Sequence, residues 1–237
     1  MTIALTLPPL LVGTDVTGAA TPLDAACDMA AGGCDAGQLL FSLDEDHLQA
    51  ALVFAPEVPL SQAAMMLPLC AVAFQTALGS LAPPELAVHL DWDGGLRLNG
   101  ACCGGLGIAA SDNAVDAVPD WLVVTLTLPL WPPSDTDPGA TPDATALFAE
   151  GCTDVSPQAL LETWARHVLN WVARWETDGA HPLRDNWRGL AWGIGEPLTH
   201  QGNHGIFEDV DEAFALILRS DQDAVRLPLT SLLEIRQ

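Results

Sequence analysis

Residues 86–108 read LAVHLDWDGGLRLNGACCGGLGI, and glycines this dense between short apolar runs leave little room for anything but a tight antiparallel meander. Leu86, Val88 and Leu90 alternate with other residues at the period of a strand with one buried face. Asp93-Gly94-Gly95 supplies a reversal, Leu96-Arg97-Leu98 a second strand, and Asn99-Gly100 a type I′-like turn before a third strand at 106–108. Two readings stand side by side. The glycines serve turn geometry alone, or Gly94, Gly95, Gly104 and Gly105 let a small ligand lie against bare main chain.

Upstream, Thr21-Pro22-Leu23-Asp24 opens a helix, with Thr21 as N-cap and Asp24 at the capping-box position, ending at Gly32-Gly33. Strands are expected at 37–42 and 48–56 around the acidic turn Asp44-Glu45-Asp46. Residues 60–79 predict one long apolar helix, with Ser61 as cap, Gly79 as stop and a kink at Pro68. Residues 121–129 (WLVVTLTLP) predict a central strand buried on both faces. Residues 132–153 read as a surface loop. Ser156-Pro157 then opens a helix whose Leu160, Leu161, Trp164, Val168, Trp171, Val172 and Trp175 recur at helical spacing, as if against a sheet. A short helix through Trp187 follows Gly179. Short strands at 192–195, 205–207, 214–218 and 224–229 suggest a small barrel-like module at the end.

Charge narrows the partners. The 237 residues carry 31 acids against 8 bases, all of them Arg, for a net −23. Such a surface repels nucleic acid and anionic lipid, so neither nucleic acid nor a membrane is expected as partner. The first residues, MTIALTLPPLLVG, lack a basic region and carry Pro8-Pro9, unlike a signal peptide or a membrane span. The six cysteines have no zinc-site spacing, so no metal site is expected, and free thiols in a reducing cytoplasm are the default.

The order of residues in the meander resembles the biotin and lipoate protein ligase family, where the segment runs Lys-Trp-Pro-Asn-Asp, a strand, Asn-Gly-Lys-Lys, then an apolar residue and Ala-Gly-Ile. Trp92, Asn99, Gly100 and Gly105 fall on matching positions. Asp91 stands at the first Lys, Asp93-Gly94-Gly95 replaces Pro-Asn-Asp, and Ala101-Cys102 replaces the Lys pair, the second of which is the family's catalytic lysine. The resemblance implies an α+β fold: a central mixed or antiparallel sheet flanked by helices, like class II aminoacyl-tRNA synthetases and biotin ligases. It further implies a ligase-like domain at 1–190 and a small SH3-like domain at 191–237, the latter on the order of residues 205–216.

The family activates biotin, lipoate or octanoate as an acyl-adenylate, using ATP and Mg, and passes it to a carrier-domain lysine; some members transfer from an acyl carrier without ATP. A small carboxylate or acyl ligand and an acyl carrier domain are therefore the implied partners. No cofactor is certain for this chain. The ligand-binding positions carried over are Thr21, Asp24, Trp92, Asp93, Asn99, Gly100, Gly104, Gly105 and Leu106, with Cys102 at the catalytic position. Two departures matter. The family's Gly-Arg-Gly-Arg-Arg-Gly loop is cut to Leu43-Asp44-Glu45-Asp46-His47, and the chain has no Lys. Charge that develops on phosphate or carbonyl oxygen needs preorganised cations or N–H donors. Acyl transfer, a non-catalytic binding module on the same fold, and a cysteine acyltransferase all stay open.

Overall fold

The computed structural model describes residues 4–132, 143–220 and 223–234. An edge strand, β1 (Val12–Asp15), leads to helix α1 (Pro22–Ala31). Thr21 caps that helix as its sequence predicts: its hydroxyl oxygen accepts the Asp24 N–H at 3.1 Å, and Pro22 takes the first turn. Strands β2 (Gln38–Leu43) and β3 (His47–Phe54) form a hairpin. Asp44 Oδ1 closes its acidic turn by accepting the N–H groups of Asp46 and His47 at 2.9 and 2.7 Å.

The single helix expected at 60–79 is two, α2 (Leu60–Ala63) and α3 (Met66–Gly79). Proline explains the break. Pro68 has no N–H to give, and its ring crowds the carbonyl four residues back, at Ala64, where the helices part. Ser61 is not the cap: Pro59 holds that position and no side chain caps the helix. The stretch Leu60–Gly79 is apolar and long enough to cross a membrane, yet 78% of its apolar 18-residue window is buried inside the protein.

The meander forms as β4 (Val88–Leu90), β5 (Gly95–Leu98) and β6 (Ala101–Ala110). Asn99 and Gly100 take the two positive φ angles of the predicted turn, 50° and 92°. The third strand is longer than expected and pairs with β7 (Leu122–Pro129), which lies between β3 and β6. Of the loop expected at 132–153, residues 133–142 lie outside the described residues. From residue 143 the chain is no plain surface loop: Ala144 bridges Cys102, and Ala146, Leu147 and Cys152 are buried.

Helices α4 (Pro157–Asp178) and α5 (His181–Leu190) follow, α4 capped by the Ser156 hydroxyl. The Trp stripe of α4 meets helix α3, not a sheet: Trp164 is buried and its Nε1 donates to the Cys70 carbonyl at 3.0 Å. Periodicity told which side of α4 is apolar, not what covers it. The strand expected at 192–195 is a turn, since Gly193 and Gly195 take φ of 79° and 89°. Strands β8 (Pro197–His200), β9 (Asn203–Val210), β10 (Leu216–Arg219) and β11 (Ala224–Leu227) form a separate antiparallel sheet, which fits the small β domain expected there. The chain then returns: after a 3-10 turn at Leu229–Leu232, β12 (Leu233–Glu234) pairs parallel with β6.

The large sheet has the order β1-β2-β3-β7-β6-β5-β4, with β12 on β6. Leu52, Leu126, Leu106, Ile108 and Leu96 face α3 and the main core. Leu40, Ala51, Val53, Val123 and Ala109 face the other way, under Ala26, Cys27 and Ala30 of α1. Helices thus cover both faces of a mixed sheet, the expected α+β arrangement. The smaller sheet packs on α5, with Trp187 against Phe207 and Phe214.

Candidate functional site

The face of the sheet under α1 carries the polar residues. Strand alternation decides which they are. His89 opposes Arg97, and Arg97 opposes Cys102, so all three stand on the α1 side of the meander. Gly105 opposes Thr127, and Gly107 opposes Thr125, so small and hydroxyl-bearing positions continue the row on β6 and β7. Helix α1 lies over β2 and β3 and reaches β7. Its C-terminal end sits near Trp121, and the turn before it meets the Leu43 end of β2, where Thr17 Oγ1 accepts the Leu43 N–H at 3.1 Å. Thr125, Gly105 and Gly107 are part-exposed and Thr127 is exposed, leaving a bare strip between α1 and Arg97.

Arg97 is the cation at this face, and its charge is committed. Its Nε donates to both Asp91 oxygens at 2.8 and 2.9 Å, one Nη donates to the Gly100 carbonyl at 3.1 Å, and the guanidinium lies 5.2 Å from the Trp192 ring centre. The hydrogen bond to Asp91 raises the pKa of Arg97 further above its ordinary value. His89 meets the Trp192 ring edge-on at 5.1 Å. Beyond this pair opens a cavity of about 710 Å³, lined by Asp91, Trp92, Asp93, Arg97, Trp192 and His200 among others. Two buried ring nitrogens, His89 Nδ1 and His200 Nε2, have no hydrogen-bond partner among the described residues.

The predicted site residues divide. Trp92 and Asp93 line the cavity, though Trp92 itself is buried and its Nε1 donates to the Phe214 carbonyl of the C-terminal unit at 2.8 Å. Gly105 belongs to the strip, and Cys102 borders it beside Arg97. Thr21 and Asp24 sit at the start of α1, joined by a 2.5 Å hydrogen bond from hydroxyl to carboxylate. Asn99 is exposed but spends its amide on the protein itself: Oδ1 accepts the Ala87 N–H at 3.1 Å and Nδ2 donates to Glu150 at 2.7 Å. Leu106 points into the core, so its side chain is not on the strip. Gly100 lies 3.4 Å from the Trp192 ring by its missing Cβ. At Gly94 and Gly104, both with positive φ, a Cβ would run into the carbonyls of Leu106 and Thr127. Close backbone approach within the protein accounts for these two glycines.

Sequence reasoning missed Gly107, Thr125, Thr127, Trp192 and His200. A signal for the first three was present: GLG at 105–107 and TLT at 125–127 alternate small or polar residues with Leu on neighbouring strands. Among the described residues, no group of three His, Cys, Asp or Glu side chains is placed to hold a metal ion.

The sequence profile of the Biotin/lipoate A/B protein ligase family matches residues 7–189, and that of a domain of unknown function (DUF4444) matches residues 194–235. A biotin–[acetyl-CoA-carboxylase] ligase of Paracoccus denitrificans is 30% identical over 173 residues, 71% of this chain and 72% of the relative. A crystallised biotin protein ligase-like protein of unknown function from Silicibacter sp. TM1040 is 52% identical, with a TM-score of 0.93 over 98% of this chain and all of that one (100%). A biotin protein ligase from Aquifex aeolicus in complex with biotin and ATP shares the fold, with a TM-score of 0.69 at 13% identity over 92% of this chain and 95% of its own.

Proposed function

The chain belongs to the Biotin/lipoate A/B protein ligase family, and on that premise we propose that it binds the acyl group of a small carboxylate, biotin foremost, on the α1 face. Supplied as an acyl-adenylate, the acyl group passes to the Cys102 sulfur with AMP leaving, and the amine of a carrier-domain lysine then displaces the thiol from the thioester to form the amide. The observation that carries this reading is the bare strip of Gly105, Gly107, Thr125 and Thr127, bordered by α1 on one side and by Arg97 and Cys102 on the other. Its floor is main chain left bare by glycine, its polar groups engaged in strand pairing, with hydroxyls at intervals, suited to an acyl chain with a polar head. In this reading residues 1–190 hold the ligand and residues 191–237 close the far side through Trp192. The net −23 favours a basic patch on the carrier domain as docking partner. The described cysteines are all free, which fits a cytoplasmic setting.

The side chains of this face do not fit a triphosphate. Arg97 is bound to Asp91, the turn between β2 and β3 is acidic, and the chain has no Lys. Charge on a reacting carbonyl oxygen would instead be met by backbone N–H groups. Cys102 stands at the position of the family's lysine, beside Arg97, and is the nucleophile we carry into the test.

Thermal denaturation with biotin, lipoate, octanoate and biotinyl-adenylate tests the reading. A ligand at a hundred times its Kd stabilises by about 2.7 kcal/mol. Supplying biotin and biotinyl-adenylate with a carrier domain, and following the carrier's mass, then tests transfer. Binding with transfer that C102A abolishes supports the whole reading, binding without transfer reduces it to a binding protein, and no stabilisation by any ligand overturns it.

A further inference from the structure

Strand β12 brings a carboxylate from the C-terminal end of the fold onto the α1 face. Leu233 pairs with Ile108 and Glu234 with Ala109. Ile108 belongs to the main core and Ala109 to the cluster under α1, so this register sends Leu233 into the core and Glu234 to the strip. The first carbon of a side chain at Gly107 would lie 3.8 Å from Glu234 Oε1 and 2.8 Å from Thr125 Oγ1. Glycine at 107 therefore keeps open a gap with the Thr125 hydroxyl on one side and the Glu234 carboxylate on the other. Thr125 Oγ1 accepts the Gly107 N–H at 3.0 Å, which leaves its own O–H to donate. Glu234 has no hydrogen bond or ion pair among the described residues. Its placement is fixed by its neighbours: Leu229 is buried, and Leu232 and Leu233 pack on the main core.

The gap is the β12 end of the strip, next to the row that α1 covers at Val123 and Ala109, and Glu234 itself is exposed there. The other end is the exposed Thr127. A carboxylate ligand lies with its carboxyl at the Thr127 end, away from the negative charge of Glu234. Its head then meets Glu234 and Thr125. An ionised carboxylate only accepts hydrogen bonds, so the head it favours is one that donates.

We propose that Glu234 is a specificity-determining residue that accepts hydrogen bonds from N–H groups of the ligand's head, selecting a ureido-bearing carboxylate over dithiolane- and alkyl-tailed ones. The assignment rests on the ligand face given under Proposed function. Calorimetric titration of the full chain with biotin, lipoate and octanoate tests it in wild type, E234A and E234Q. E234A should weaken biotin roughly 10-fold while leaving lipoate and octanoate within about twofold. E234Q, which keeps one acceptor oxygen, should lose less. The melting temperature of each variant reports whether β12 still docks. Unchanged biotin affinity in E234A, or an equal loss for all three ligands, overturns the assignment alone. Failure of all three to bind the wild type overturns the ligand reading and this assignment with it.

Discussion

Two adjacent cysteines show how one residue step changes chemistry. Cys102 faces the strip opposite Arg97, whereas Cys103 is fully enclosed in the core. Burial pushes the Cys103 thiol up from about 9 to about 12, with the nearby Glu150 adding to the shift. A raised thiol pKa stabilises the fold below its ordinary value, and that contribution is lost as pH climbs from about 9 towards about 12, because only the unfolded chain then releases the proton. Urea midpoints measured from neutral pH upward should therefore fall above pH 9, and fall less steeply in C103A than in wild type. Cys70, shifted the same way by complete burial, keeps part of the slope in that variant. Equal slopes in the two proteins would refute the account.

Among elements, the contact of α4 on α3 is the one sequence periodicity assigned to the wrong partner, and it yields a graded test. Trp164 contributes both buried area and the bond to the Cys70 carbonyl. W164F should cost about 1 kcal/mol, close to the net worth of one hydrogen bond, and W164A about 3–5 kcal/mol by denaturant unfolding. Equal losses would mean the bond and the ring area had been apportioned wrongly. The elements legible in the sequence were those with local signals. Thr21-Pro22 and Ser156-Pro157 opened their helices where expected, and Asn99-Gly100 turned the chain with the φ angles those residues favour. The sequence was opaque where the cause was distant. Two residues of β12 carry no strand pattern of their own and pair only because β6 offers an edge beyond β5. Of the candidate site, the position of Trp92 and the neighbourhood of Cys102 were readable. The facing of Leu106 and the role of Asn99 as a clasp on Glu150 were not, since each depends on a bulge or a segment far along the chain.

For the whole molecule, the imbalance of 31 acids over 8 bases governs stability as well as partners. Arg97, Arg184, Arg188, Arg219 and Arg226 each already pair with a carboxylate, so little of the excess is neutralised by further rearrangement. Repulsion among the remaining acids is long-range and falls with ionic strength. Raising NaCl to about 0.15 M should lift the melting temperature, by roughly 2–4 °C for each kcal/mol of repulsion relieved. A melting temperature that stays level or drops with salt would show that local ion pairs dominate instead.

The docking of β12 on β6 also sets an order of events at the ribosome. Strands β1 to β7 can associate as soon as they emerge, but the free flank of β6 stays open until residues 229–234 have left the exit tunnel. Throughout that interval a nascent chain presents an uncovered strand margin to its neighbours on the same message. Polypeptides stalled just short of Leu229 should accordingly be sticky in a way the finished protein is not.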